Sequence, residues 1–209
     1  MPDHPWLTVP AADYEGHMGA AGVDQLAPLR TIFADVYARV HPARMALLGC
    51  CTGNGLDVID TEHTRRVVAV DLNPDYLAVA RQRHPRLESI TAWTCADLAR
   101  CELDADGFDL IHAALLFEYT DPAPLLPRIA RWLAPGGVLS IVVQLPGGDA
   151  SISDTGFASL QALQGLMRLV SPAELRELAA RADLTEAAST IVPLARGKSF
   201  WAATFTRPG

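Results

Sequence analysis

Lysine is nearly absent from this chain: Lys198 is the only one in 209 residues. Acidic residues outnumber basic ones, 24 to 17, for a formal net charge of −7. A protein that wraps DNA or RNA presents a surplus of Lys and Arg to phosphates, so this balance argues against a nucleic-acid partner. Two small arginine groups, Arg65 with Arg66 and Arg81 with Arg83 and Arg86, read as solvated helix faces and loops. No apolar run reaches the roughly 18 residues of a membrane span. The longest, "GGVLSIVVQLP", suits a buried strand, and no membrane partner is expected. The start, "MPDHPWLTVPAADYEG", has acids and prolines where a secretory signal needs a basic end and an apolar stretch, which points to the cytoplasm. Cys50, Cys51, Cys95 and Cys101 form no C-x-x-C pair, which removes the zinc-ribbon and thioredoxin-like readings. Neighbouring cysteines bridge only with strain, so the thiols read as reduced and no metal is expected.

Half of the residues are hydrophobic and 20% are charged, as in folded proteins. The length fits a single domain over residues 1–209 with one core. No repeat or low-complexity segment interrupts it. Strand and helix signals alternate instead. "ARMALLG" reads as a buried strand, "GLDVIDTEHT" as a short helix and "RRVVAVDL" as a second strand ending on an acid. "NPDYLAVARQRH" is a helix with Asn73 as N-cap and Pro74 at its first position. "ESITAWTCAD" and "GFDLIHAALL" are a third and a fourth strand. "DPAPLLPRIARWLAPGG" is a helix opened by Asp121 and Pro122 and stopped at Pro135-Gly136-Gly137, before a fifth strand, "GVLSIVVQL".

After an irregular stretch over about 146–170, "SPAELRELAARA" starts a helix with Ser171 and Glu174 in a capping box. "TEAASTIVPL" and "KSFWAATF" then read as a hairpin turning at Arg196-Gly197. The pattern predicts a three-layer α/β/α sandwich: a seven-stranded, mostly parallel, Rossmann-like sheet with an antiparallel C-terminal hairpin. A helix in "DQLAPLRTIFADVYARV" would cap one end of the sheet.

Ligands in such sheets bind beyond the carboxyl ends of the strands, near the switch in strand order. The glycine-rich "ALLGCCTGNGLDV", residues 46–58, sits there. The dinucleotide fingerprint G-x-G-x-x-G fails, because counting from Gly49 puts Cys51 and Asn54 where glycines belong. The triphosphate loop G-x-x-x-x-G-K-[ST] fails too: its lysine is missing, and Lys198 is far along the chain.

Four features in order carry a resemblance: "LGCCTGNG" after the first strand, "VVAVDLNPDYLAVAR" with its acid 16 residues after Gly55, "CADL" after the third strand, and "FDLIHAALLFEY" followed by "LAPGGVLSIV". Over about residues 44–145 the chain resembles class I S-adenosylmethionine-dependent methyltransferases. The resemblance implies S-adenosyl-L-methionine as cofactor and S-adenosyl-L-homocysteine as product. It implies a cofactor-binding half over 41–145, an acceptor-side half over 146–209, and residues 1–40 as a helical cap or lid. Asp71 would accept from the ribose hydroxyls, Leu72 would pack on adenine, Asp97 would take the adenine amino group and the Leu98 N–H a ring nitrogen. The loop of Gly49, Cys50, Gly53, Asn54 and Gly55 would approach the methionine and ribose portions, and Ala113 would leave its carbonyl open to the ligand.

Two positions depart from the family pattern. Leu47 stands where an acid usually helps to hold the ligand's ammonium, and Cys51 stands at the middle glycine. Glu15 or His17 in "DYEGHM" is the expected replacement for the acid.

Methyl transfer is an in-line displacement on an already activated cofactor, so positioning matters most and a base only for a protonated acceptor. His112, Glu118, Tyr119, Tyr14 and His17 are the candidates for catalysis or acceptor contact. Strand alternation leaves His112 facing either the helix layer or the pocket. Phe157, Leu160, Leu163, Leu166 and Met167 would line an apolar acceptor wall or pack as core. The expected acceptor is a small, partly apolar molecule, and the protein a monomer or homodimer. A non-catalytic cofactor-binding module and, more remotely, an NAD-dependent oxidoreductase are the competing readings.

Overall fold

The computed structural model describes residues 4–147 and 152–209. Seven strands form one sheet: β1 (Arg44–Leu48), β2 (Arg66–Asp71), β3 (Thr91–Cys95), β4 (Phe108–Ala114), β5 (Leu133–Gln144), β6 (Thr185–Pro193) and β7 (Ser199–Thr206), in the order β3-β2-β1-β4-β5-β7-β6. The first five strands in that order are parallel, while β7 runs antiparallel to both β5 and β6. The order reverses between β1 and β4, which places a crevice above their carboxyl ends.

Strand alternation divides the core. Ala46, Leu48, Val68, Val70, Ile111 and Ile141 face a layer made by α4 (Pro122–Trp132) and α5 (Pro172–Arg181). Met45, Leu47, Val67 and Leu110 face the other way, toward α2 (Leu26–Val40) and α3 (Pro74–Arg83). The inner strands β1, β2 and β4 are buried on both faces and therefore read as continuous apolar runs, whereas the edge strand β3 is half-buried and the edge strand β6 largely exposed. Asn73 accepts from the Asp75 N–H, and Pro74 sits at the first helical position, as expected. Ser171 likewise caps α5 by accepting from the Glu174 N–H at 3.1 Å. Ser171→Ala is expected to cost about 1 kcal/mol, or roughly 2–4 °C in melting temperature at this chain length. Scanning calorimetry that finds no shift would refute the cap's contribution.

Four local expectations change. "GLDVIDTEHT" makes only one 3-10 turn, Leu56–Val58. The Arg86 guanidinium takes the Leu56 and Asp57 carbonyls, and the Tyr37 hydroxyl takes the Asp60 N–H, so the helical pairings are replaced. The N-terminal region forms two helices, α1 (Ala11–Met18) and α2, and α2 packs Phe33, Val36 and Tyr37 across a sheet face instead of capping an end. The helix α4 stops at Trp132, and Pro135-Gly136-Gly137 belong to the start of β5. Asp97 lies beyond β3, in the turn that follows it. Part of the irregular stretch, residues 148–151, lies outside the described residues.

Candidate functional site

A cleft of about 360 Å³ opens at the carboxyl ends of β1, β2 and β4. It lies within the range of small-molecule sites. Its floor is the glycine loop. The Gly49 and Cys50 N–H groups both bond the Val70 carbonyl, tying the loop to β2. Asp71 ends β2, buried, with Oδ2 accepting from the Cys51 N–H at 2.8 Å and Oδ1 from the Asn73 N–H at 2.9 Å. Burial raises its pKa, and those two N–H groups oppose the rise by favouring the anion. One side chain thus fixes the loop and still directs remaining lone pairs at the cleft it lines.

Leu72, Asp97, Leu98, Gly49, Cys50 and Asn54 also line the cleft. Asp97 is held by the Ala99 N–H at 2.8 Å, and Asn54 donates to the Leu26 carbonyl at 2.9 Å. Gly53 and Gly55 do not line it. They make the turn: both have positive φ, and a Cβ on Gly55 would lie 2.9 Å from the Phe33 ring. The Ala113 side chain is buried in the core under α4, and Ala114, Leu115 and Leu116 line the cleft instead.

Cys51 has φ +46°, a left-handed conformation at the usual glycine position. Its half-buried side chain is hydrogen-bonded with Tyr14, and desolvation pushes its pKa up, as for Cys50. Both stay protonated, and no group of three metal-ligating side chains exists among the described residues. Cys51→Gly relieves backbone strain but loses the thiol packing, and is expected to be nearly neutral. Cys51→Ala keeps the strain without the thiol, and should be about 1 kcal/mol less stable than Cys51→Gly. Urea unfolding that ranks the two the other way would refute the strain.

The expected catalytic candidates all line the cleft, in different states. His112 points toward α2, beside the Phe33 ring at 5.0 Å, with Nδ1 at 3.0 Å from the Ser140 hydroxyl; burial pushes its pKa down to about 4. Glu118 is 1% exposed. Its Oε1 accepts from the Gln144 N–H at 2.7 Å, while Oε2 has no partner. Burial pushes its pKa up to about 7. Tyr119 and Tyr14 are raised further by burial and stay as phenols. His17 sits 2.7 Å from the Thr155 hydroxyl, and its pKa is lowered by burial and then by Lys198. Glu15 is drawn away: it is paired with Arg83 of α3 and is absent from the cleft lining, so it does not replace the acid missing at Leu47. Leu160, Leu163 and Met167 form an apolar wall, whereas Phe157 packs against Gly16. Leu166 does not reach the cleft lining.

Several lining residues carry no local signal in the sequence: Trp6, Gln25, Tyr76, Gln144 and Lys198. Trp6 meets Tyr119 edge-on at 4.9 Å and Tyr76 at 6.4 Å, and its carbonyl accepts from Asn73 Nδ2, so the N-terminal segment bridges β2 and β4 above the cleft. Gln25 donates to Gln144 at 3.2 Å. No helix among the described residues is long and apolar enough to cross a membrane.

Sheet order, two helical layers and a cleft over a glycine loop closed by an acid define a Rossmann-like α/β/α architecture. Residues 47–141 match the family model described as "Methyltransferase domain". It is 38% identical over 117 residues to a trans-aconitate 2-methyltransferase of Methylobacterium nodulans, covering 54% of this chain and 43% of that one. It is 33% identical over 87 residues to a malonyl-[acyl-carrier protein] O-methyltransferase of Alcanivorax borkumensis, covering 42% of this chain and 30% of that one. The chain thus spans less than half the length of these curated relatives. The Burkholderia thailandensis 1,6-didemethyltoxoflavin-N1-methyltransferase shares the fold, with a TM-score of 0.70 at 22% identity over 95% of this chain and 87% of that one.

Proposed function

We propose that the protein transfers a methyl group from S-adenosylmethionine to a small, partly apolar molecule. The observation that carries this is one cleft with two chemistries: Asp71, Leu72, Asp97 and Leu98 on one side, and the apolar Leu160, Leu163 and Met167 on the other. Asp71 and Asp97 suit a ribose diol and an adenine amino group, and Leu72 and Leu98 suit the adenine faces. Gly49 and Cys50 bring main chain to the remainder of the cofactor. Residues 41–145 act as the cofactor half, residues 146–209 as the acceptor side and residues 1–40 as a lid.

The cofactor supplies an activated methyl group, so the chain's residues need only align, exclude water and handle any proton. The cleft's aromatic cover of Trp6, Tyr14, Tyr76 and Tyr119 excludes water. Glu118, with an unpartnered oxygen and a pKa near neutrality, is placed to take a proton from an acceptor that must lose one. His112, paired with Ser140 beside Phe33, is positional. Of the relatives named above, the trans-aconitate 2-methyltransferase supports a small acceptor here.

Calorimetry is expected to show binding of S-adenosylhomocysteine and none of NAD. S-Adenosylhomocysteine release is then expected with some members of a panel of phenols, carboxylic acids and amines. Binding without release across the panel would favour a non-catalytic module; binding of NAD alone would overturn the reading.

A further inference from the structure

Two buried polar atoms of the cleft lining have no partner: Oε2 of Glu118 and the hydroxyl of Tyr76. Folded chains rarely leave such groups orphaned, so a pair of them in one cleft points to a polar group on the ligand. Glu118 is the one that can carry charge. Its Oε1 is fixed by the Gln144 N–H at 2.7 Å, and its carbonyl accepts from the Arg168 N–H at 2.8 Å, which seats it next to Met167 on the apolar-wall side. No arginine is found among the described lining residues. Lys198, also in the lining, has a partner of its own. Its charge is felt at His17, whereas Glu118 is perturbed by burial and by backbone N–H groups.

We propose that Glu118 Oε2 receives the ammonium of the methyl acceptor, so that the acceptor is an amine with an apolar body. The inference rests on the methyl-transfer reading and names its substrate class. Tyr119 follows Glu118 in the chain, lines the same cleft and meets the Trp6 ring edge-on at 4.9 Å, which gives a cation an aromatic surface to lie against. Asp71, Asp97 and Asp121 line the cleft as well, and the chain carries a net charge of −7, so the field draws in cations and repels anions. Leu160, Leu163 and Met167 suit the apolar body. Proton transfer favours the same class. Burial pushes the Glu118 carboxyl up to about 7 and would lower an ammonium, so their proton affinities converge. A buried phenol diverges instead, as Tyr14 and Tyr119 of this cleft do. The ammonium passes one proton to Oε2, and the nitrogen lone pair then takes the sulfonium methyl, leaving the bonding pair on sulfur. The products are the methylated ammonium, S-adenosylhomocysteine and a protonated Glu118, which returns its proton to solvent.

Two ammonium groups can reach this oxygen, the acceptor's and the cofactor's own amino group, whose expected acid is replaced by Leu47. Binding measurements separate them. Isothermal calorimetry on the S-adenosylhomocysteine complex compares phenethylamine and hexylamine with phenethyl alcohol and hexanol, and with trans-aconitate as the anion. Each amine is expected to bind the wild type about tenfold more tightly than its alcohol, and more tightly than trans-aconitate. Glu118→Gln should bring amine and alcohol to parity, with S-adenosylhomocysteine affinity changed by less than about threefold. A wild type that prefers neither amine, or that binds trans-aconitate more tightly, overturns the proposal whatever the variant does. So does an unchanged amine preference in a Glu118→Gln that a thermal melt shows to be folded. A loss of about tenfold in S-adenosylhomocysteine affinity in that variant assigns Glu118 to the cofactor's amino group and overturns it too. Selective amine binding with no S-adenosylhomocysteine release from any amine, phenol or acid would sink the methyl-transfer reading and leave the ammonium subsite standing. Release with phenols or acids and not with amines would do the reverse.

Discussion

Asp71→Ala is expected to weaken S-adenosylhomocysteine binding about a hundredfold, or about 2.7 kcal/mol. The carboxylate has two roles that fail together. Its oxygens hold the Cys51 and Asn73 N–H groups, which fix the glycine loop against the start of α3. Its remaining lone pairs face the cleft, where a ribose diol would donate. Hydrogen bonds to a charged acceptor contribute about 1.5–3 kcal/mol each, and the freed N–H groups would lie buried and unpaired. Asp71→Asn should be intermediate, because an amide oxygen still accepts one of the two N–H bonds while its NH₂ opposes the other. Calorimetry on both variants, alongside a thermal melt, checks the prediction. A Kd within threefold of wild type in Asp71→Ala would remove Asp71 from the cofactor site.

Glu118→Gln should flatten the pH dependence of stability between about pH 5 and pH 8. Glu118 ordinarily loses its proton near 4.5, and in the fold keeps it up to about 7. Between those values the folded state binds more protons than the unfolded chain, so stability falls as pH rises and levels off above pH 7. The interval corresponds to a cost on the order of 3 kcal/mol at alkaline pH. Glutamine does not titrate, and its oxygen can still accept from the Gln144 N–H. The variant should therefore lose about 2–3 kcal/mol less than wild type between pH 5 and pH 8. Carboxylates that Arg partners hold below their usual range, such as Glu15 and Asp57, titrate in both proteins below this window. Urea unfolding at four pH values gives the difference directly. Parallel curves would mean that Glu118 is ionised throughout and is not the cleft's proton carrier.

The parts legible in the sequence were those governed by local rules. Apolar runs ended by Gly or Asp became the parallel strands, and Asn73, Asp121 and Ser171 capped the helices they were expected to cap. Where local rules competed, the reading slipped. "GLDVIDTEHT" had a helical look, but Arg86 and Tyr37, from other segments, took its backbone groups. Glu15 looked available for the missing acid at Leu47, yet Arg83 of α3 lies beside it.

The sequence alone determined the α/β alternation, the glycine loop and the acids ending the strand segments, because spacing within a dozen residues specifies them. Only the tertiary structure decided what faces those acids. Lys198 looked remote from the glycine loop, and the antiparallel pairing of β7 with β5 brought it to the same cleft. Trp6 and Gln25 arrived the same way, through packing of an N-terminal segment whose partners are 67 and 119 residues away. Strand order and side-chain parity set such neighbours, and neither is a local property of the chain.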